Sequence, residues 1–339
     1  MTRRGILTGG TWCLDRNLLV DCWPAENGRA DVIEAEPAGG GSASNMAIDL
    51  KKLDPDFPVA TIGLVGDDAD GRFLVAQAEA HGIDHSQLKL MAGATTDYTH
   101  AYSALPHGLR THISWFGTSH LLTPDHFDFS RSTHRIFHLG LPGIHRLMDG
   151  PWQGEANGWV ATLKRARAAG LATNLELASL APERLATIVR PCLPQLDFLA
   201  VNDSEIGGIT GMRTVSEGGT ELAACRAAAR RALEQGPLQL VAVHFPRGAI
   251  VVTRHGDEIM RPSVKVPPGE IKGANGAGDA FAAGLLYGLH EDWPVADAVA
   301  LAHATAAASL RRISTTGAVE SWRQCLALAA AWGWRDALP

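Results

Sequence analysis

The sequence predicts an α/β protein with a parallel-rich central sheet, helices on both faces and a small β lid. Three observations predict it. Short β-rich runs alternate with longer helical stretches along most of the chain. Strands separated by helices call for right-handed crossovers, which build a parallel sheet covered on both sides. Two stretches, residues 11–40 and 93–122, break that rhythm with aromatics, histidines and β-formers instead of helical spacing.

VATIGLVG (59–66) predicts a buried strand, and Arg72 to His81 the helix that follows it. RIFHLGL (135–141), LATNLEL (171–177), LDFLAVN (196–202) and LQLVAV (238–243) predict further strands. Helical spacing falls between them over Asn157 to Ala169, ended by Gly170, and over Glu221 to Glu234. The two interrupting stretches, as in DYTHAYSALPHGLRTHISWFG, are expected to stand off the main sheet. They form either a lid that excludes water or a plain β excursion. With no internal repeat, low-complexity tract or linker, one domain over 1–339 is expected, carrying lid segments at about 11–40 and 93–122.

Bulk properties narrow the function. Hydrophobic residues make up 46% and charged residues 19%, the balance of an ordinary globular protein. The net charge of −6 is interspersed, so no basic stripe awaits nucleic acid. Five dispersed cysteines argue against a disulfide framework or zinc site and suit a reducing cytosol. No run of about 18 apolar residues is available to span a membrane, and no long apolar stretch precedes Trp12. A cytoplasmic protein without nucleic-acid or membrane partners is therefore expected.

One short stretch carries chemistry. GANGAGDAF (273–281) places Gly276, Ala277 and Gly278 before a helix expected from about Asp279. A helix start offers unpaired N–H groups and partial positive charge, and glycines let an anion approach the backbone. Asp279 would repel a phosphate, yet it is placed to take a proton from a hydroxyl that attacks one. The alternative is a tight turn with Asp279 as a simple cap. A P-loop motif is absent, and no dinucleotide fingerprint follows a first strand.

The loop has company. AGGGSASNMAIDLKKL (38–53), GLVGDDADG (63–71) with the trailing HGID, VNDSE (201–205) and GAGDAFAAG (276–284) stand in one order along the chain. Together they resemble the motifs of the ribokinase/PfkB carbohydrate kinase family. That resemblance implies a ribokinase-like fold and ATP-dependent phosphorylation of a hydroxymethyl group on a small sugar or nucleoside. It implies that Asp279 is the catalytic base and that Gly276, Ala277 and Gly278 form the anion hole. Gly40, Gly41 and Asn45 match the substrate-binding glycines and asparagine, and Asp15 matches an aspartate that holds sugar hydroxyls. Asn202 and Glu205 match a pair that organises magnesium and nucleotide phosphates, Glu205 reaching the metal through water. Each also has a structural alternative: a helix cap for Asn45, a turn for Asp15, a solvated face for Glu205.

The chain departs from the family pattern in places. Gly273 and Ala274 stand where an aspartate and a threonine are usual, so the monovalent-cation site implied by the resemblance lacks a carboxylate. A potassium requirement is not expected, and Lys272 is the neighbouring candidate for a replacement charge. VHFPRGA (243–249) keeps Gly248 beside the nucleotide but has Phe245 and Pro246 before it. ALAHATAAASL (300–310) resembles the family helix that flanks adenine, which implies His303 near the base, packing or a surface position being the alternative. Trp12, Tyr98, Tyr102, Arg110 and His112 are candidate substrate contacts of the lid, packing being the alternative, and a homodimer through the lid is expected. The rival functions are a non-catalytic sugar- or nucleotide-binding relative and, on glycine content alone, a nicotinamide-dependent oxidoreductase.

Overall fold

The computed structural model describes residues 3–105, 109–178 and 180–338. Its strands, in chain order, are β1 (Ile6–Gly10), β2 (Cys13–Val20), β3 (Val32–Gly40), β4 (Val59–Gly66) and β5 (Asp84–Met91). Next come β6 (Asp97–Ala104), β7 (Leu109–Trp115), β8 (Ile136–Gly140), β9 (Ala172–Leu175) and β10 (Phe198–Asn202). The short pair β11 (Val215–Ser216) and β12 (Gly219–Thr220) precedes β13 (Leu240–Phe245), β14 (Gly248–Thr253) and β15 (Glu258–Pro262).

Among the described residues, nine strands form one sheet in the order β15-β14-β13-β10-β9-β8-β1-β4-β5. From β13 to β5 every neighbour is parallel, while β14 and β15 add an antiparallel edge. The strands expected over 59–66, 135–141, 171–177, 196–202 and 238–243 are all present. In this order β1 lies between β4 on one side and β8 on the other, and such a switch point opens a crevice at the carboxyl ends of the strands.

Alternate side chains supply two cores. Ile6 packs in one layer and its neighbour Leu7 in the other. The first layer takes Met46, Leu50, Phe281 and Leu285 from helices Ser42–Leu53 and Ala277–His290. The second takes Trp159 and Leu163 from Gly158–Ala168, and Ile206 from Asp203–Thr210. Helices therefore cover both faces.

A four-stranded sheet, β3-β2-β6-β7, stands apart from the main one. Its strands fall within the expected excursions 11–40 and 93–122. Trp12, expected as a substrate contact, is instead core: it is 1% exposed and its indole N–H donates to Thr61 Oγ1 at 2.8 Å. No helix among the described residues is long and apolar enough to cross a membrane.

Candidate active site

A cavity of about 450 Å³ lies at the carboxyl edge of the central sheet, under the lid. Thr11, Leu141, Glu176 and Asn202 reach it from the ends of β1, β8, β9 and β10. Tyr98 and Thr99 of β6, with His112 and Ser114 of β7, wall the opposite side. Tyr102 instead packs edge-on against Trp23, ring centroids 5.9 Å apart. The Arg110 side chain lies outside the described residues.

Asp15 stands in β2, paired with Ala38 of β3 and 7% exposed, so the turn alternative fails. Cys13 Sγ donates to its Oδ1 at 3.4 Å, and burial lifts its carboxyl to about 7. Gly40 does not line the cavity; it makes room for this carboxylate, since a Cβ there would meet Asp15 Oδ2 at 2.2 Å. Gly41 lines the cavity and begins helix Ser42–Leu53. Asn45 sits one turn into that helix and does not cap it. Its Oδ1 accepts from Thr315 at 2.9 Å, and its Nδ2 donates to Asp279 Oδ2 at 3.0 Å.

The helix expected from Asp279 starts two residues earlier, at Ala277, with Gly276 as its N-cap at φ 74°. A left-handed residue suits glycine here, and a Cβ would also meet Thr315 O at 2.7 Å. Asp279 caps nothing and turns into the cavity. Enclosure by protein, then the neighbouring Glu176 carboxyl, push it well above the ordinary carboxylate range, while the Asn45 amide pulls the other way. Glu176 itself is lifted to about 7, chiefly by burial.

Sequence reasoning missed Glu176 and the pair behind it. His138 of β8 and Asn174 of β9 are register partners, and Asn174 Nδ2 donates to His138 Nδ1 at 2.9 Å. His138 Nε2 lies 2.8 Å from Glu176 Oε2, at angles that fall short of a hydrogen bond. No motif marks these residues; only strand register brings them to the site.

A second cavity of about 680 Å³ lies across the loop. Phe245, Val264, Val266, Phe281 and Leu310 make it apolar. His303 lines it, 4% exposed and edge-on to Phe281 at 5.1 Å, and burial lowers its ring to about 3. Gly248 lines neither cavity; it pairs with Pro262, and a Cβ would meet Arg261 O at 2.4 Å. Lys272, offered as a replacement charge, is exposed and lines neither cavity, and its Nζ donates to Gly269 O at 3.1 Å.

The two cavities share a wall made of Asn202, His244, Ala274, Ala277 and Gly278. Asn202 and Glu205 face it as a capping box: Asn202 Oδ1 accepts from Glu205 N at 2.8 Å, and Glu205 Oε2 accepts from Asn202 N at 2.9 Å. Glu205 is thus 9% exposed, not on a solvated face, and burial lifts it to about 7. No group of three His, Cys, Asp or Glu side chains able to hold a metal occurs among the described residues. One carboxylate beside a glycine-rich helix start still fits magnesium, which keeps several waters and takes oxygen ligands.

Fold and site together define an α/β protein with two adjoining cavities at the carboxyl edge of a doubly covered sheet. The chain belongs to the PfkB family: the family model described as pfkB family carbohydrate kinase matches residues 13–322. Solved structures agree on the ribokinase-like fold. Ribokinase from Thermotoga maritima is 20% identical with a TM-score of 0.75, over 97% of this chain and 99% of that one. Arabidopsis thaliana ribokinase, complexed with ribose and ATP, is 18% identical at a TM-score of 0.75, over 96% and 99%. Burkholderia thailandensis nucleoside kinase, in complex with inosine, is 18% identical at 0.73, over 98% and 100%. The ATP-dependent ribose-1-phosphate kinase of Halopiger xanaduensis is 33% identical over 91 residues, 27% of this chain and 30% of that relative's length.

Proposed function

We propose that this chain is an ATP-dependent kinase that phosphorylates a hydroxymethyl group on a small sugar or nucleoside. One observation carries the reading. A polar cavity holding Asp279 and an apolar cavity share the glycine-rich start of one helix. Phosphoryl transfer needs an acceptor and a nucleotide on opposite sides of an anion site, and this arrangement supplies both. The ribokinase and nucleoside kinase relatives support the same class of acceptor.

In this reading Asp15, Gly41 and Asn45 hold the acceptor's hydroxyls, with Gly40 giving Asp15 its place. Asp279 takes the proton of the attacking hydroxyl. The backbone N–H groups of Gly276–Gly278 steady the charge on the phosphoryl oxygens. Val264, Val266, Phe281 and His303 enclose the adenine, with Gly248 shaping the strand behind. Magnesium, held near Asn202 and Glu205 through water, neutralises phosphate charge when bound. The whole chain acts as one domain, and its lid offers exposed Val32, Ile33 and Ile113 for a homodimer.

The test is ADP release from magnesium-ATP over ribose, ribose 1-phosphate, fructose, ketodeoxygluconate and nucleosides, with Asp279→Asn as control. Turnover on an acceptor, lost in the variant, is expected. ATP binding by folded protein without turnover on any acceptor would favour the binding-only relative.

A further inference from the structure

Glu176 has no part in the reading above, yet it lies in the middle of the site. It directly follows β9, where Asn174 fixes the ring of His138 by donating to its Nδ1 at 2.9 Å. The ring proton therefore sits on Nε2, 2.8 Å from Glu176 Oε2. On its other side the Glu176 carboxyl faces that of Asp279 across the cavity they both line, and Asn45 holds Asp279 from behind at 3.0 Å. Both carboxyls line the same cavity.

Two neighbouring carboxyls in one cavity cannot both ionise without repulsion, so such a pair keeps one proton over a wide pH range and titrates as a unit. The surroundings strengthen this. Asp15 from β2, Asp49 from helix Ser42–Leu53 and Glu205 from helix Asp203–Thr210 add like charge within reach of the pair, and Cys13 adds none while it stays a thiol. The adjacent base, His138, is held neutral by burial, which lowers it to about 4. Among the described residues, no lysine or arginine lines the cavity.

We propose that Glu176 is a positioning residue that sets the proton affinity of Asp279, so that the base becomes free only when the pair gives up its shared proton. The inference rests on Asp279 being the base. In the step itself, the acceptor hydroxyl passes its proton to the Asp279 carboxylate as the new O–P bond forms. The bond from the γ-phosphorus to the bridging oxygen breaks, and its electron pair leaves on ADP. A carboxylate whose proton affinity approaches the working pH is the stronger base, which gives the second carboxyl a purpose.

The test is the pH profile of kcat for Glu176→Gln, on whichever acceptor supports turnover. Glutamine keeps the shape and removes the charge. The acid limb is expected to move about one pH unit or more to lower pH, as loss of a neighbouring like charge requires. The plateau should fall several-fold while acceptor KM stays within about threefold, the mark of a weaker base and not of lost binding. A limb that stays in place, or moves up, overturns the inference. Carbon-13 titration of the carboxyls needs no Gln variant: Glu176 should titrate in two coupled steps that collapse to one in Asp279→Asn. A Glu176 resonance indifferent to that change also overturns it. If Asp279→Asn keeps wild-type turnover, the base assignment fails instead, so the two failures are distinct.

Discussion

The two cavities on either side of Ala277 and Gly278 are built from opposite chemistry. The acceptor side gathers Asp15, Glu176, Glu205 and Asp279, all with raised proton affinity. The other side sets Phe245, Val264 and Phe281 around His303, and His244 stands at the boundary, both rings lowered by burial. Each region thus favours neutral forms, but of acids in one case and bases in the other. The difference teaches that one helix start can separate an acid-lined cavity from an apolar one.

The largest expected effect breaks the comparison on its acidic side. Asp279→Asn should cut kcat by roughly 10²–10⁴-fold, the usual share of a general base. The melting curve should remain cooperative, since Asp279 caps nothing and only Asn45 and Glu176 lose a partner. Turnover within about threefold of wild type would remove the base from the mechanism.

Next comes the boundary itself. Gly276→Ala puts a Cβ at φ 74° and 2.7 Å from Thr315 O. A cost of roughly 1–3 kcal/mol is expected from the left-handed backbone and the crowding. Because both cavities share this helix start, KM for ATP and for the acceptor should rise together. A rise in one alone would show that the cavities are independent.

A smaller effect separates the two sides by pH. Asp15, raised to about 7, adds stability that is complete below its unfolded value near 4 and is lost as pH rises through about 7. His244, lowered to about 4, behaves oppositely: its contribution is present above about 6.5 and is lost as pH falls towards 4. Between about pH 4 and 7 the two contributions therefore oppose each other, and Asp15→Asn should make the melting temperature rise with pH by a few degrees more across that window. His244→Gln should do the reverse, leaving the fall from Asp15 unopposed between about pH 4 and 7. Differential scanning fluorimetry across pH checks both.

The smallest expected effect is none. With Gly273 and Ala274 in the loop and Lys272 turned to Gly269, exchange of potassium for tetramethylammonium should leave kcat unchanged within about twofold. A strong potassium activation would place a cation site on other ligands.

Much of this was legible in the sequence, for physical reasons. Buried parallel strands are continuous apolar runs, so VATIGLVG and its counterparts stand out. Glycine before Asp279 marks a helix start because few other residues tolerate that backbone. Glu176 was not legible: its neighbours in LATNLEL signal a strand and nothing more. It meets Asp279 only through the pairing of β8 with β9 and the docking of a helix a hundred residues later. Gly248 erred in the other direction, since its motif describes the bend into β14 and not the cavity lining.

The capping box at Asn202 and Glu205 has a wider consequence. These side chains close on each other's backbone to start a helix, so the pair is needed before any nucleotide arrives. A descendant that lost phosphoryl transfer would still be under pressure to keep both residues. The VNDSE signature therefore follows ancestry and foldability, and in the proposed mechanism Asp279 is the position at which an active chain and a retired one part company.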